Sequence, residues 1–478
     1  MGKITRNYIY NTIYQIVAII VPLITSPYLA RVLGATNVGI EGYIISVSQI
    51  FNTIGMIGLT NYSSREIAYV RDDVRETSKV FWELNIVRGI VFILTTTVYI
   101  VAVFNSPYKI YFLIQIIWLF AMFMDFSWFF NGLENFKITV IRNILVRIVT
   151  IFCVFIFVKK ENDLIIYIFI YAVSQLVGTF SMVFQIGKNI VKVNFKELRI
   201  FRHFVPSIKV FLPQLAGVLY LQIDKVMIEK LSSDVRQVAY YNEAEKLVKA
   251  PLAVITAIST TLMPRVANEF KNFNTTNIKR YIDDSLVFSM ILAWPLMMGM
   301  IGIADKTIPW FLGPGYEPAV IALIMLSLTI VPIASTSVSA NQYFIALGKT
   351  RMLTISYTIS AVLNVVINAL LIPKYGFVGA AIGTIAAEVA ALIAQFYVMN
   401  QDLKIMKNYL FSSLKYGVYS VIMCVLIIIL GKNMEASIVT TFIQIIVGMA
   451  VYGALLIITR DKFIFRIINR IFKKREER

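Results

Sequence analysis

The chain has 478 residues, 58% of them hydrophobic and only 15% charged, with 45 Lys+Arg against 27 Asp+Glu and a formal net charge of +18. With a mean hydropathy of +0.74, this composition excludes a soluble globular domain and points to a polytopic membrane protein. Nucleic-acid binding is the partner a basic chain invites, but the placement of the charge assigns it to a membrane interface instead.

The apolar residues fall in blocks of about 20, the length an α-helix needs to cross hydrocarbon, and not in the alternating strands of about ten residues that build a membrane β-barrel. Fourteen helical spans are predicted, at 10–33, 40–62, 80–103, 108–130, 138–158, 164–186, 207–230, 239–263, 283–303, 318–341, 353–372, 377–398, 409–431 and 436–459. The first contains the uncharged run Asn7–Ala30 and no small-residue cleavage site, so it reads as a retained span. It ends at Arg31, and Gly34 and Gly39 are expected to supply the tight turn into the second span.

The loops set the orientation. Arg65, Arg71, Arg75 and Lys79 follow the second span; Lys188, Lys192, Lys196, Arg199 and Arg202 follow the sixth; Arg265, Lys271, Lys279 and Arg280 follow the eighth. Most of the basic residues precede span one, follow even-numbered spans or lie in the tail, which places both termini in the cytoplasm. The single histidine, His203, lies in one of these basic loops and is expected to be solvated there. Cys153 and Cys424 lie inside apolar runs, so neither a disulfide framework nor a metal cluster is expected. The outer loops, such as 105–107 and 373–376, are too short for an external domain. The basic tail admits two readings, an amphipathic helix on the anionic inner leaflet or a frayed soluble end.

A weak internal repeat accompanies this pattern. At a constant offset of 214, Leu133 falls on Leu347 and Lys160 on Lys374, and Pro22 and Pro213 each sit in the first span of a six-helix half. The organisation read from it is an N-terminal lobe over 1–206 (spans 1–6) and a C-terminal lobe over 207–400 (spans 7–12). Spans 13 and 14 follow over 401–460, then the basic tail over 461–478.

Ionisable residues inside spans cost about 2.5–3.5 kcal/mol each at mid-bilayer, so they mark partners or water-filled space. Arg31, Lys209 and Lys415 lie close enough to span ends to snorkel. Arg88, Arg147, Lys225, Lys246 and Lys249 do not. The spacing Lys225–Glu229 and Glu245–Lys249 places each pair on one helix face. Counted along their spans, Asp224, Lys225, Glu245 and Lys246 fall in the outer half, level with Arg31 and Glu41. Two readings of that cluster stand open: ion pairs that lock helices together, or the wall of a hydrated cavity. Similar depth pairs Arg88 with Asp125. Glu388, near mid-membrane, is either a titrating group of an ion-coupled cycle or a carboxyl kept neutral by burial.

Several stretches carry a family resemblance over nearly the whole chain. "PYLARVLGATNVG" closes the first span, "SREIAYVRDD" (64–73) follows the second and "WFFNGLENFKITVIRN" (128–143) surrounds the end of the fourth. "VLYLQIDKVMIEKL" (218–231), "YYNEAEKLV" (240–248) and "KYGFVGAAIGT" (374–384) continue the series. In order and spacing these resemble the polysaccharide-transporter family, the oligosaccharide flippases within the multidrug/oligosaccharidyl-lipid/polysaccharide exporter superfamily. The resemblance implies an all-α polytopic membrane protein: two six-helix lobes related by a pseudo-twofold axis plus two C-terminal helices, with spans one, two, seven and eight lining a central cavity. It implies no enzyme activity and no cofactor, with coupling to an H⁺ or Na⁺ gradient left open. The implied substrate is a polyprenyl-diphosphate-linked oligosaccharide, moved from the inner to the outer leaflet of a bacterial plasma membrane. Polysaccharide polymerase and chain-length machinery would be partners alongside membrane lipids, with no nucleic acid.

On that reading Arg31, Glu41, Asn61, Asp224, Lys225, Glu245, Lys246 and Lys249 are the cavity residues, and Asp224 and Glu388 the groups for ion coupling. Asn11, Gln15, Asn61, Tyr220, Gln222 and Tyr241 would serve the sugar. A lipid II flippase shares the carrier chemistry and stands as the alternative. An ion-coupled multidrug exporter fits less well, because cationic drugs call for a cavity of negative character.

Overall fold

The computed structural model describes residues 3–187, 189–272 and 275–466, with side chains continuously from Ile20 onward wherever the backbone is described. The Asn11 side chain and tail residues 467–478 lie outside this set. Among the described residues every regular element is helical, and 13 stretches are long and apolar enough to cross a membrane. The first of them, Ile20–Val70, takes in the span expected at 40–62 and the latter part of the one expected at 10–33, so thirteen stretches correspond to the fourteen spans read from the sequence.

The chain divides into two compact units, Met1–Ala239 and Tyr240–Arg478. The first contains α1 (Lys3–Met56), α2 (Leu59–Val70), α3 (Val74–Val103), α4 (Lys109–Phe123), α5 (Ser127–Gly132), α6 (Phe136–Phe157), α7 (Leu164–Ile186) and α8 (Phe204–Leu231). α1 is two helices joined at Gly34, whose φ of +74° breaks the ladder. Asn37 stitches the break: its side-chain amide donates to the Leu33 carbonyl (3.0 Å) and to that of Glu161 (2.8 Å). Gly39 is not part of the turn. A β-carbon there would lie 2.2 Å from the Val235 carbonyl oxygen, so its role is close approach between backbones. α3 starts at Asp73, whose carboxylate accepts from the Arg75 (2.8 Å) and Glu76 (3.2 Å) amides, an N-cap.

α8 lies antiparallel along the second half of α1 and runs with the first unit for its full length. Three levels fix the register: Gly58 meets the Ser207–Phe211 backbone, Ser46 Oγ lies 3.0 Å from Gln222 Oε1, and Gly39 meets Val235. The seventh span thus packs with the first six, and the unit boundary falls after it.

Gly58 has φ +72°, and a β-carbon on it would lie 2.6 Å from the Phe211 amide nitrogen and 2.7 Å from the Ser207 carbonyl oxygen. Left-handed strain alone costs about 1–3 kcal/mol, and here the clash is with backbone that cannot swing away. Gly58→Ala should lower the thermal midpoint of the detergent-solubilised protein by several degrees. An unchanged melting curve would mean that α8 is not held at this point.

The second unit contains α9 (Arg236–Lys271), whose first turn crosses the boundary, then α10 (Thr275–Leu312), α11 (Ala319–Ser327), α12 (Ile330–Val338), α13 (Thr350–Tyr375), α14 (Phe377–Leu403), α15 (Met406–Gly431) and α16 (Ile438–Ile458). Asp461 roots the tail. Its buried carboxylate pairs with Lys415 and caps the Phe463 and Ile464 amides, both at 3.0 Å.

The offset of 214 holds at the level of single backbone hydrogen bonds. In the first unit Leu133 N donates to Phe129 O (3.1 Å), Glu134 N to Asn131 O (3.0 Å) and Asn135 N to Phe130 O (2.8 Å). In the second, Leu347 N donates to Tyr343 O (3.1 Å), Gly348 N to Ile345 O (3.1 Å) and Lys349 N to Phe344 O (2.7 Å). Glu134 and Gly348, at matched positions, both have positive φ, 57° and 73°. Just before each turn the helix is irregular: α4 stops at Phe123 and α5 restarts at Ser127, while residues 339–345 form a π-turn after α12.

Candidate functional site

In the first unit, one set of buried charges lies on α1 and α8, apart from Glu83 and Arg88 of α3 and Arg142 of α6. Glu41, Asp224 and Lys225 are 8%, 5% and 6% exposed. The Lys225 ammonium reaches the Leu221 carbonyl (3.4 Å) and Gln222 Oε1 (3.5 Å), and Gln222 in turn meets Ser46 of α1. Tyr167 of α7 donates to Glu41 Oε1 at 3.3 Å. Further along α8, Lys230 sits over the Tyr43 ring, 5.6 Å from its centroid. Arg31 is exposed at the end of the first half of α1. Arg31, Glu41, Asp224 and Lys225 all have polar or electrostatic partners beyond these contacts. Glu41 and Lys225 therefore lie close in level along the α1–α8 pair, as their sequence depth predicts. Asn61 does not join them. It is exposed on α2, beyond the Ile57–Gly58 break, and twenty residues of helix at 1.5 Å each separate it from Glu41, about 25–30 Å.

In the second unit, Glu245, Lys246 and Lys249 lie on α9. Lys249 pairs with Glu245 at 2.5 Å, the spacing the sequence predicts. Lys246 instead pairs with Glu243 at 2.6 Å. Glu243 is 2% exposed and went unrecognised from sequence, although its three-residue spacing to Lys246 is a legible signal. Tyr241 joins α9 to α14 through Thr384 Oγ1 at 2.9 Å. Glu388, also on α14, is half-buried and lies within electrostatic reach of Tyr357 on α13.

Two expectations need correction. Arg88 does not bond the Asp125 carboxylate. Its guanidinium donates to the carbonyls of Met122 (3.2 Å), Phe123 (2.8 Å) and Asp125 (3.2 Å), at and just past the end of α4. A cation at a helix C-terminus meets the negative end of the dipole, and in a membrane the carbonyls at a helix end must find donors. The Asp125 carboxylate instead pairs with Arg142 at 2.7 Å and accepts from Ser127.

His203 is not solvated: it is 1% exposed. Its Nε2 lies 2.8 Å from Glu83 Oε2, and its Nδ1 lies 2.9 Å from the Tyr62 hydroxyl. Glu83, 2% exposed, also accepts from the Arg199 amide (2.6 Å) and from Arg202 Nε (2.9 Å) and Nη2 (2.6 Å). A basic loop next to a lone acid in the third span was the available clue; pairing across about 120 residues of chain was not visible without the fold.

The comparisons with known proteins agree with this architecture. The family model described as "Polysaccharide biosynthesis protein" matches residues 4–269. A putative O-antigen transporter of Escherichia coli (strain K12) is 25% identical over 403 residues, 82% of this chain and 96% of that protein. A probable low-salt glycan biosynthesis flippase of Haloferax volcanii is 24% identical over 274 residues, 56% of each. Among solved structures, a lipid II flippase in an inward closed conformation superposes with a TM-score of 0.75 at 19% identity, covering 94% of this chain and 98% of that one.

Proposed function

This chain belongs to the polysaccharide biosynthesis protein family, and from that premise we propose that it carries a polyprenyl-diphosphate-linked oligosaccharide from the inner to the outer leaflet by alternating access. The protein is a multi-pass membrane transporter, not an enzyme. The observation that carries the substrate reading is the burial of Glu41, Asp224 and Lys225 on the paired helices α1 and α8. Charge at that depth is retained where it meets charge.

The cargo sets the chemistry. Its diphosphate and sugar cannot enter hydrocarbon, while its prenyl tail can remain there. Lys225 offers the diphosphate a point charge and Arg31 a planar fork that donates to two oxygens at once. Glu245, Lys246 and Lys249 are the contribution of α9. An inside-negative potential favours outward movement of an anion by about 2.3 kcal/mol per charge per 100 mV, so a dianionic headgroup gains about 4–5 kcal/mol. Asp224 and Glu388 are the groups through which an H⁺ or Na⁺ gradient would add to that drive. Both termini are cytoplasmic, and the polymerase that consumes the exported repeat unit is the natural partner.

Reconstituted into vesicles, the protein should move a fluorescent polyprenyl-diphosphate oligosaccharide between leaflets, and Arg31→Ala should slow that movement at equal protein level. Transport of lipid II at the same rate, with no effect of the oligosaccharide as competitor, would transfer the assignment to the peptidoglycan precursor. Orientation has its own test. In a background lacking Cys153 and Cys424, Lys196→Cys should react with an impermeant maleimide only after the cytoplasmic face is opened. Labelling of intact cells would reverse the topology.

A further inference from the structure

The first unit also contains a cavity that none of the proposed transport residues lines. It is an open pocket of about 870 Å³ between α3, α4, α7 and the linker after α7, and its walls are almost wholly apolar. Trp82 and Ile86 of α3, Phe123 of α4, Val183 and Ile186 of α7 and Phe195 of the linker form them, with Lys192 at the rim. No lining residue comes from α1, α2 or α8.

The cavity is built, not incidental. The linker that roofs it is strapped to the inner end of α3 at three levels. The Val191 amide donates to Ser78 Oγ (2.9 Å), Lys79 pairs with Glu197 (3.3 Å), and the Arg199 amide donates to Glu83 (2.6 Å). The Trp82 and Phe195 rings meet across the mouth, 5.5 Å apart. A preformed apolar volume of this size is that of a small-molecule or lipid site.

We propose that this cavity holds an acyl chain of an anionic glycerophospholipid of the inner leaflet, with the lipid phosphate at Lys192. Charge complementarity selects the occupant. The rim lysine and its neighbours Lys196 and Arg199 are exposed and basic, Trp82 and Phe195 are the aromatic residues favoured at headgroup level, and basic pockets between cytoplasmic helix ends bind anionic headgroups. The prenyl carrier is the weaker occupant, because the cavity does not open on α1 or α8, where the transport residues of this unit lie. The bound lipid would brace the linker against α3 and so hold the inner end of α8, which the linker enters. This inference rests on the cytoplasmic assignment of the linker.

Brominated acyl chains quench tryptophan on contact. In vesicles of phosphatidylcholine, the Trp82 signal, isolated by difference from Trp82→Phe, should be quenched by dibromophosphatidylglycerol about fivefold more effectively than by dibromophosphatidylcholine. Lys192→Glu, at an exposed rim position, should abolish that preference, and Val183→Phe, which fills the cavity, should reduce quenching by both lipids. Equal quenching by the two lipids, a preference that survives Lys192→Glu, or displacement of the bromolipid by polyprenyl phosphate would each overturn the proposal. A preference that persists while Lys196→Cys labels from outside would keep the site and reject the orientation.

Discussion

Lys225→Ala should slow leaflet-to-leaflet transfer of the lipid-linked oligosaccharide by about 10- to 100-fold while leaving protein abundance unchanged. The size follows from the chemistry: a hydrogen bond to a charged group contributes about 1.5–3 kcal/mol, and each 1.36 kcal/mol in a barrier is tenfold in rate. Lys225 is 6% exposed, so bulk water screens its charge weakly. Its contacts to the Leu221 carbonyl and Gln222 are 3.4 and 3.5 Å. Lys225→Arg should recover part of the rate, because charge returns with a different shape. Lys432→Ala, an exposed lysine just past α15, serves as the control. The measurement is the fraction of fluorescent substrate reaching the outer leaflet against time; a wild-type time course for Lys225→Ala would remove Lys225 from the pathway.

The largest stability effect is expected at Glu83. Glu83→Ala removes the common acceptor of the Arg199 amide, the Arg202 guanidinium and His203, and leaves His203 buried beside Tyr62. Breaking a buried charge cluster by deleting one partner costs about 3–5 kcal/mol. Because the cluster ties the linker to α3, the loss should appear as protease sensitivity at residues 189–203 before global unfolding, as well as a lower melting midpoint. Glu83→Gln should be milder, since an amide oxygen still accepts from the Arg199 amide. If limited proteolysis of Glu83→Ala matches wild type, the linker is held by something other than this cluster.

Much of the architecture was legible in sequence because hydrocarbon imposes one rule on every span: backbone groups must be paired within the helix, so about 20 apolar residues mean one crossing. The repeat was legible for a similar reason. The turn after the fourth span demands a left-handed residue and a fixed hydrogen-bond pattern, and the chain meets that demand twice, at Glu134 and Gly348. The Glu245–Lys249 pair was legible because its partners share one helix face. Depth along a span was legible too, as Glu41 and Lys225 show.

What failed were inferences about partners far apart in the chain. Depth alone pairs Arg88 with the nearest acid, whereas it donates to backbone carbonyls at the end of α4, and Asp125 pairs with Arg142. Proximity to Gly34 suggests a turn role for Gly39; only the approach of Val235, nearly two hundred residues away, shows why a side chain is excluded there. Its basic neighbours suggest a solvated loop position for His203, yet it is buried against Glu83 and Tyr62.

The sequence by itself therefore determined the all-helical membrane fold, the turn repeated at an offset of 214 and the family, since each rests on local composition or on motifs read along the chain. The tertiary structure decided which charges meet, that the seventh span packs with the first six, and where the linker lines an open apolar pocket. Those outcomes depend on which backbones approach closely enough to exclude a β-carbon, and on which buried polar groups find each other across the fold.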